Sequence, residues 1–170
     1  MGVKIIEKPT FYVLGKAKTG LTKESYLWIP PLWESLQNSF SSIKDLILKD
    51  AKGKPQGIWG VMSDDTHSYL PWRNVAAMFD PCIKLSSEIY GMYIAGYEAK
   101  SGIHVPKGWD YWRVPAFKYA TIECDTDHYS DMLKYMLFTY LKEKDYTLAG
   151  AIHEYYKNNK MFLYVPIAKL

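Results

Sequence analysis

The apolar positions of the chain change period several times, and each change predicts an element. Residues 4–17 are rich in Ile, Phe, Tyr and Val, a β composition broken by Pro9, which suits an edge strand or a strand start. Gly15 and Gly20 mark its end. From Pro30 the spacing becomes helical: Leu32, Leu36, Phe40, Ile43 and Ile47 form one stripe at about 3.6 residues per turn. Pro30 and Pro31 suit a first helical turn, where a missing N–H is no loss. Gly53, Pro55 and Gly57 then deliver the chain to a short strand over 58–62. A polar stretch with Asp64, Asp65, His67, Pro71, Arg73 and Asn74 reads as a long loop, and residues 89–98 as a Tyr-rich strand.

After a break over 100–108 the same order begins again. Residues 111–124 read as a strand with a proline near its start. Asp127 is placed to cap a helix whose buried stripe is Tyr129, Leu133, Met136 and Tyr140. Strands over 151–157 and 161–168 follow, joined by the hairpin signal Asn158-Asn159. Each half is therefore strand, helix, strand, strand. The segments Lys8-Pro9-Thr10-Phe11 and Val114-Pro115-Ala116-Phe117 share Pro, a small residue and Phe at an offset of 106. The expected fold class is α+β: one domain over 1–170 made of a duplicated module, repeat one about 1–99 and repeat two about 109–170. The repeats would be related by a pseudo-two-fold axis with a ligand cleft between them. An α+β sandwich without internal symmetry is the alternative.

A length of 170 residues fits that single domain, and a net charge of +3 offers little attraction to phosphates, so direct DNA binding is not expected. No apolar run is long enough to span a membrane and no export signal opens the chain, which makes the cytoplasm the expected location. Cys82 and Cys124 are far apart and no histidines cluster, so neither metal nor disulfide is predicted, and both thiols are expected to be buried and inert. No phosphate loop, dinucleotide fingerprint or nucleophile elbow is present, and no cofactor is called for. Aromatic residues, at 16 %, are the departure from ordinary composition, and fifteen of them are tyrosines that join a flat apolar face to a polar tip.

Several strings taken together resemble the GyrI-like small-molecule-binding superfamily. They are Trp28-Ile29-Pro30-Pro31-Leu32-Trp33-Glu34, His104-Val105-Pro106-Lys107-Gly108, residues 114–120, His153-Glu154-Tyr155-Tyr156 and Leu163-Tyr164-Val165-Pro166-Ile167. The resemblance implies the duplicated module already read from pattern. It also implies a bacterial effector-binding or multidrug-binding role, in which a strand Glu contacts the ligand and a Tyr stands two residues on. Glu154 and Tyr156 match those positions. In the regulators the fold follows a helix-turn-helix segment, whereas here the first expected helix starts near residue 30, a stand-alone form. Other stand-alone relatives imply two further functions: hydrolysis of cyclopropane-bearing DNA-alkylating toxins, and inhibition of gyrase as a protein partner.

Strand alternation places Ile152, Glu154 and Tyr156 on one face and Ala151, His153 and Tyr155 on the other. Glu154 could neutralise a hydrophobic or cationic aromatic compound whose rings stack on nearby aromatic faces. In an enzyme it would instead be the general base that activates water, with Tyr156 as hydroxyl donor. Apart from such a role, Glu154 reads as a solvated carboxylate at the rim. Candidate walls of the cleft are Trp28 and Trp33 at the first helix, Trp59 on its strand, and Tyr90 and Tyr93 in or beside the fourth strand. Each competes with a plain core role. Pseudo-symmetry aims Trp59 at the cleft of Glu154. Glu123 is either a second cleft carboxylate or an exposed strand residue.

Overall fold

The computed structural model describes residues 2–77, 82 and 88–170. Eight strands form one antiparallel sheet: β1 (Lys4–Lys8), β2 (Phe11–Leu21), β3 (Ile58–Asp64), β4 (Tyr90–Ala99), β5 (Asp110–Val114), β6 (Phe117–Cys124), β7 (His153–Lys157) and β8 (Lys160–Lys169). Their order across the sheet is β1-β6-β8-β7-β3-β4-β2-β5. Exchanging β1–β4 with β5–β8 gives the same order read from the opposite edge. Each half nevertheless lends its first strand to the other, because β1 pairs with β6 and β5 with β2. The halves meet in the middle along only three residue pairs of β3 and β7: Ile58 with Tyr156, Trp59 with Tyr155, and Gly60 with Glu154.

Prolines cut both long predicted strands in two. Pro9 separates β1 from β2 and Pro115 separates β5 from β6, since a proline supplies no N–H for the ladder. The first helix, α1, runs over Ser25–Asn38, earlier than its apolar stripe predicts, and holds Pro30 and Pro31 in its interior. The lost bonds fall on the carbonyls of Tyr26 and Leu27, whose residues are 72 % and 60 % exposed, where water can replace them. Leu36, Ile43 and Ile47 are buried as the stripe requires, but the last two lie beyond the helix, Ile43 in a turn and Ile47 in an isolated bridge to Ala99. A short helix, α2 (Arg73–Ala76), lies in the expected loop, the later part of which falls outside the described residues.

Asp125, not Asp127, caps the second helical region by accepting from the backbone N–H of His128 at 2.9 Å. The helix then runs as α3 (Tyr129–Lys134), a π-helical stretch (Tyr135–Tyr140) and a last turn, α4 (Leu141–Glu143). The buried stripe is Met132, Met136, Leu137 and Leu141, the wider turn bringing Leu137 and Leu141 to the core beside Met136, and Tyr129, Leu133 and Tyr140 are partly buried beside it. Asn158 and Asn159 both adopt positive φ and close the β7–β8 hairpin.

Both helical regions cover one face of the sheet. The first packs on Leu14, Tyr93, Ala95 and Tyr97, and the second on Ala120, Ile122, Leu163 and Val165. The opposite face carries an aromatic layer in which Phe11, Trp59 and Trp112 are buried and Tyr155 and Tyr164 partly so. Among the described residues no helix is long and apolar enough to cross a membrane. Cys124 is buried, whereas Cys82 is exposed, contrary to the expectation for a core thiol.

Candidate functional site

Between α1 and α3 the sheet is uncovered, and an open cleft of about 1660 Å³ lies there. Its apolar walls include Trp33 from α1, Ile58 from β3, Tyr156 from β7, Cys124 from β6, and Met132 and Tyr135 from the second helical region. Around them stand four carboxylates (Asp50, Glu123, Asp125, Asp131) and three lysines (Lys54, Lys157, Lys160), so the lining has mixed charge. Glu123 is exposed and lies 3.6 Å from Lys160, which joins the two predicted readings of that residue. No group of three or more potential metal ligands occurs among the described residues.

Glu154 stands beside this cleft, behind Tyr156 and Trp33. Tyr93 donates to its Oε1 at 2.6 Å and Tyr156 lies at a longer 3.4 Å from the same atom. Tyr129, at the start of α3, adds a third hydroxyl donor. Trp33 extends the chain by donating its indole N–H to the Tyr93 oxygen at 3.1 Å, and its ring meets that of Tyr156 edge-on at 5.1 Å. Part of Glu154 remains reachable by solvent, although protein surrounds the carboxylate closely. The cluster depends on Gly60: a Cβ there would lie 2.1 Å from the Tyr93 oxygen and 2.6 Å from Glu154 Oε1. A glycine inside a strand here gives room for two side chains from neighbouring strands to meet over it.

Burial pushes the Glu154 carboxyl above its ordinary value of 4.5, and the three tyrosine hydroxyls oppose that rise by stabilising the anion. Burial, then the charge of Glu154, holds the Tyr93 and Tyr129 hydroxyls far above the ordinary phenol range, so both stay protonated donors. Tyr156 is raised for the same reasons. Among the described residues no lysine, arginine or histidine forms an ion pair with Glu154. When ionised, a carboxylate satisfied by hydroxyls alone has no neutralising partner, and it attracts a cation without first breaking an ion pair.

The structure therefore brings Glu154, Tyr156, Tyr93 and Trp33 together and keeps three other predicted wall residues apart. Trp59 is 1 % exposed on the opposite face of β3, against Phe11, Tyr155 and Tyr164. It pairs with Tyr155, so its ring points away from Glu154. Trp28 is buried under α1, tilted against Trp72 and bonded to the carbonyl of Leu21. Tyr90 is 44 % exposed at the start of β4, outside the cleft lining. His153 is fully buried on the face opposite Glu154, where burial lowers its imidazole to about 3 and keeps it neutral. Sequence reasoning assigned Tyr129 only to a packing stripe and overlooked Gly60. The isolated glycine inside an apolar strand was the available signal for the second.

No family profile matches the sequence, and no curated protein matches it. Solved structures do share its architecture, and they define the class: the chain has the GyrI-like fold. SAV2435, solved bound to tetraphenylphosphonium, aligns with a TM-score of 0.59 at 15 % identity over 98 % of this chain and 94 % of that one. An integron cassette protein from Vibrio cholerae aligns at 0.56 and 13 %, covering 99 % and 96 % of the two chains. The C-terminal domain of EcmrR aligns at 0.56 and 11 %, covering 99 % and 98 %. In the EcmrR–DNA complex the alignment spans 58 % of the EcmrR chain, at a TM-score of 0.57 and 14 % identity.

Proposed function

We propose that this chain binds bulky, apolar organic cations in the cleft between its helical regions, with Glu154 as their counter-charge. The observation that carries the reading is the partly buried Glu154 carboxylate, bonded by tyrosine hydroxyls and lacking a cationic partner among the described residues. Trp33 and Tyr156 supply aromatic faces beside it, and a cation desolvated against such faces gains about 2 kcal/mol. The likeness to SAV2435, solved with a cation of this chemical type, points the same way. Tyr93, Tyr129 and Tyr156 hold the carboxylate in place. The aromatic walls select flat or globular hydrophobic bodies.

Calorimetric titration with tetraphenylphosphonium and with neutral triphenylphosphine oxide tests the reading. Glu154→Gln should weaken the phosphonium by about tenfold or more and leave the neutral compound within about twofold. Equal losses for both, or no saturable phosphonium binding by the wild-type chain, would overturn it.

A further inference from the structure

The opposite face of the central seam holds a second, smaller cavity of about 260 Å³. Trp59, Tyr155 and Tyr164 line it and pack on one another, with ring centroids 4.7 to 5.3 Å apart. Glu98 of β4, 4 % exposed, contributes a buried carboxylate. The ammonium of Lys8, at the end of β1, lies 2.8 Å from Glu98 Oε1, 4.5 Å from the Phe11 centroid and 5.5 Å from the Trp59 centroid. Gln56 donates to the other carboxylate oxygen at 3.1 Å. A carboxylate on one side and aromatic faces on the others is how proteins recognise alkylammonium groups. Lys8 thus sits where such a ligand would sit.

Its hold is local. β1 pairs with β6 and not with β3 or β4, and the Lys8 side chain keeps 22 % of its surface exposed, so its head can leave for water without breaking a ladder. An incoming ammonium would replace one positive charge beside Glu98 by another, avoiding the cost of an unpaired Glu98. We propose that this cavity is a second binding site, selective for small alkylammonium groups, and that Lys8 is the tethered ammonium that fills it in the free protein. The inference is independent of Glu154, because it rests on residues of the other face.

Two indole N–H groups report on the two faces: Trp59, buried without an acceptor, and Trp33, bonded to Tyr93. The ¹⁵N-labelled full chain is titrated with tetramethylammonium and, as a neutral control, tert-butanol, with indole signals assigned from Trp59→Phe and Trp33→Phe. Tetramethylammonium should move the Trp59 signal saturably in the wild type and bind at least about tenfold more tightly to Lys8→Ala, where no tethered ammonium competes. Glu98→Gln in the Lys8→Ala background should abolish the effect. If Lys8→Ala does not fold alone, Lys8→Met is read in the same way, and the wild-type titration still decides. A shift confined to Trp33, an equal response to tert-butanol, equal affinity with and without the Lys8 ammonium, or no saturable Trp59 shift would each overturn the proposal.

Discussion

β3 is flanked by β4 and β7, and each neighbour sends one acid to a different face of the sheet. Glu98 of β4 meets Lys8 and Gln56 within the aromatic layer, so the chain supplies its own counter-charge. Glu154 of β7 meets Tyr93, Tyr129 and Tyr156, which donate hydrogen bonds but carry no charge. Hydroxyl donors recover only part of the hydration that burial removes, and the Glu154 carboxyl consequently stays above its ordinary range. Burial alone does not distinguish an acid whose place is filled by the chain's own cation from one left open to an outside cation. The difference lies in whether a cation of the same chain is within reach.

The largest expected contrast between the faces is in packing. Trp59 is 1 % exposed and touches three aromatic rings, so Trp59→Ala should cost about 3 to 5 kcal/mol in denaturant unfolding. Trp33 is partly exposed in the cleft wall, so Trp33→Ala should cost clearly less while weakening tetraphenylphosphonium binding. Equal losses of stability would break the division into a face held by close aromatic packing and a face left open as a cleft.

Removing the Tyr93 hydroxyl should have the next largest effect. It bonds Glu154 at 2.6 Å and receives the indole N–H of Trp33, so Tyr93→Phe leaves a partly buried carboxylate short of a donor and an indole without an acceptor. Hydrogen bonds to charged groups are worth about 1.5 to 3 kcal/mol, and unfolding measurements at neutral pH should show a loss in that range. A loss below about 0.5 kcal/mol would mean that water replaces the hydroxyl freely and that the site is wetter than its geometry implies.

Much of this division was legible in the sequence, although not all of it was read. Period-two alternation separates Glu154 and Tyr156 from His153 and Tyr155 without further information. The same rule separates Tyr90 from Tyr93, an odd spacing within one strand. Trp28 and Trp33, five residues apart, lie about 140° apart around a helix, which explains why one fills the core and the other faces the cleft. Trp59 is different. Its face depends on the β3–β7 register, which sets Gly60 opposite Glu154 across more than ninety residues of sequence, and a slip of one residue would have turned it toward the cleft. The Lys8–Glu98 pair is equally non-local, joining β1 to a strand with which it shares no ladder.

The raised Glu154 carboxyl gives opposite pH trends for stability and for binding. A group whose folded pKa lies above its unfolded value stabilises the fold most at low pH, and that contribution is lost as pH rises through the folded pKa. A cationic ligand needs the ionised form, so its affinity should rise through the same range above 4.5 and then level off. Below the folded pKa the affinity should fall by up to about tenfold per pH unit, a change of about 1.4 kcal/mol. Paired titrations of wild type and Glu154→Gln from pH 4 to pH 8 measure it. A flat difference between them would locate the titrating anion elsewhere in the cleft.

The smallest effect expected is that of Tyr156→Phe, and it sharpens the comparison most finely. The Tyr156 oxygen lies 3.4 Å from Glu154 Oε1, at the weak end of hydrogen bonding, while Tyr93 holds the same atom at 2.6 Å. The ring itself lines the cleft and packs edge-on against Trp33, and phenylalanine keeps both contacts. Stability should therefore change by less than about 1 kcal/mol, and tetraphenylphosphonium affinity by less than about threefold. If the hydroxyl were instead the principal donor to the carboxylate, Tyr156→Phe would match or exceed Tyr93→Phe in both measurements and raise the pH at which cation binding begins. Comparing the two substitutions in one buffer series identifies which tyrosine holds Glu154 in its ionised form and which mainly shapes the wall.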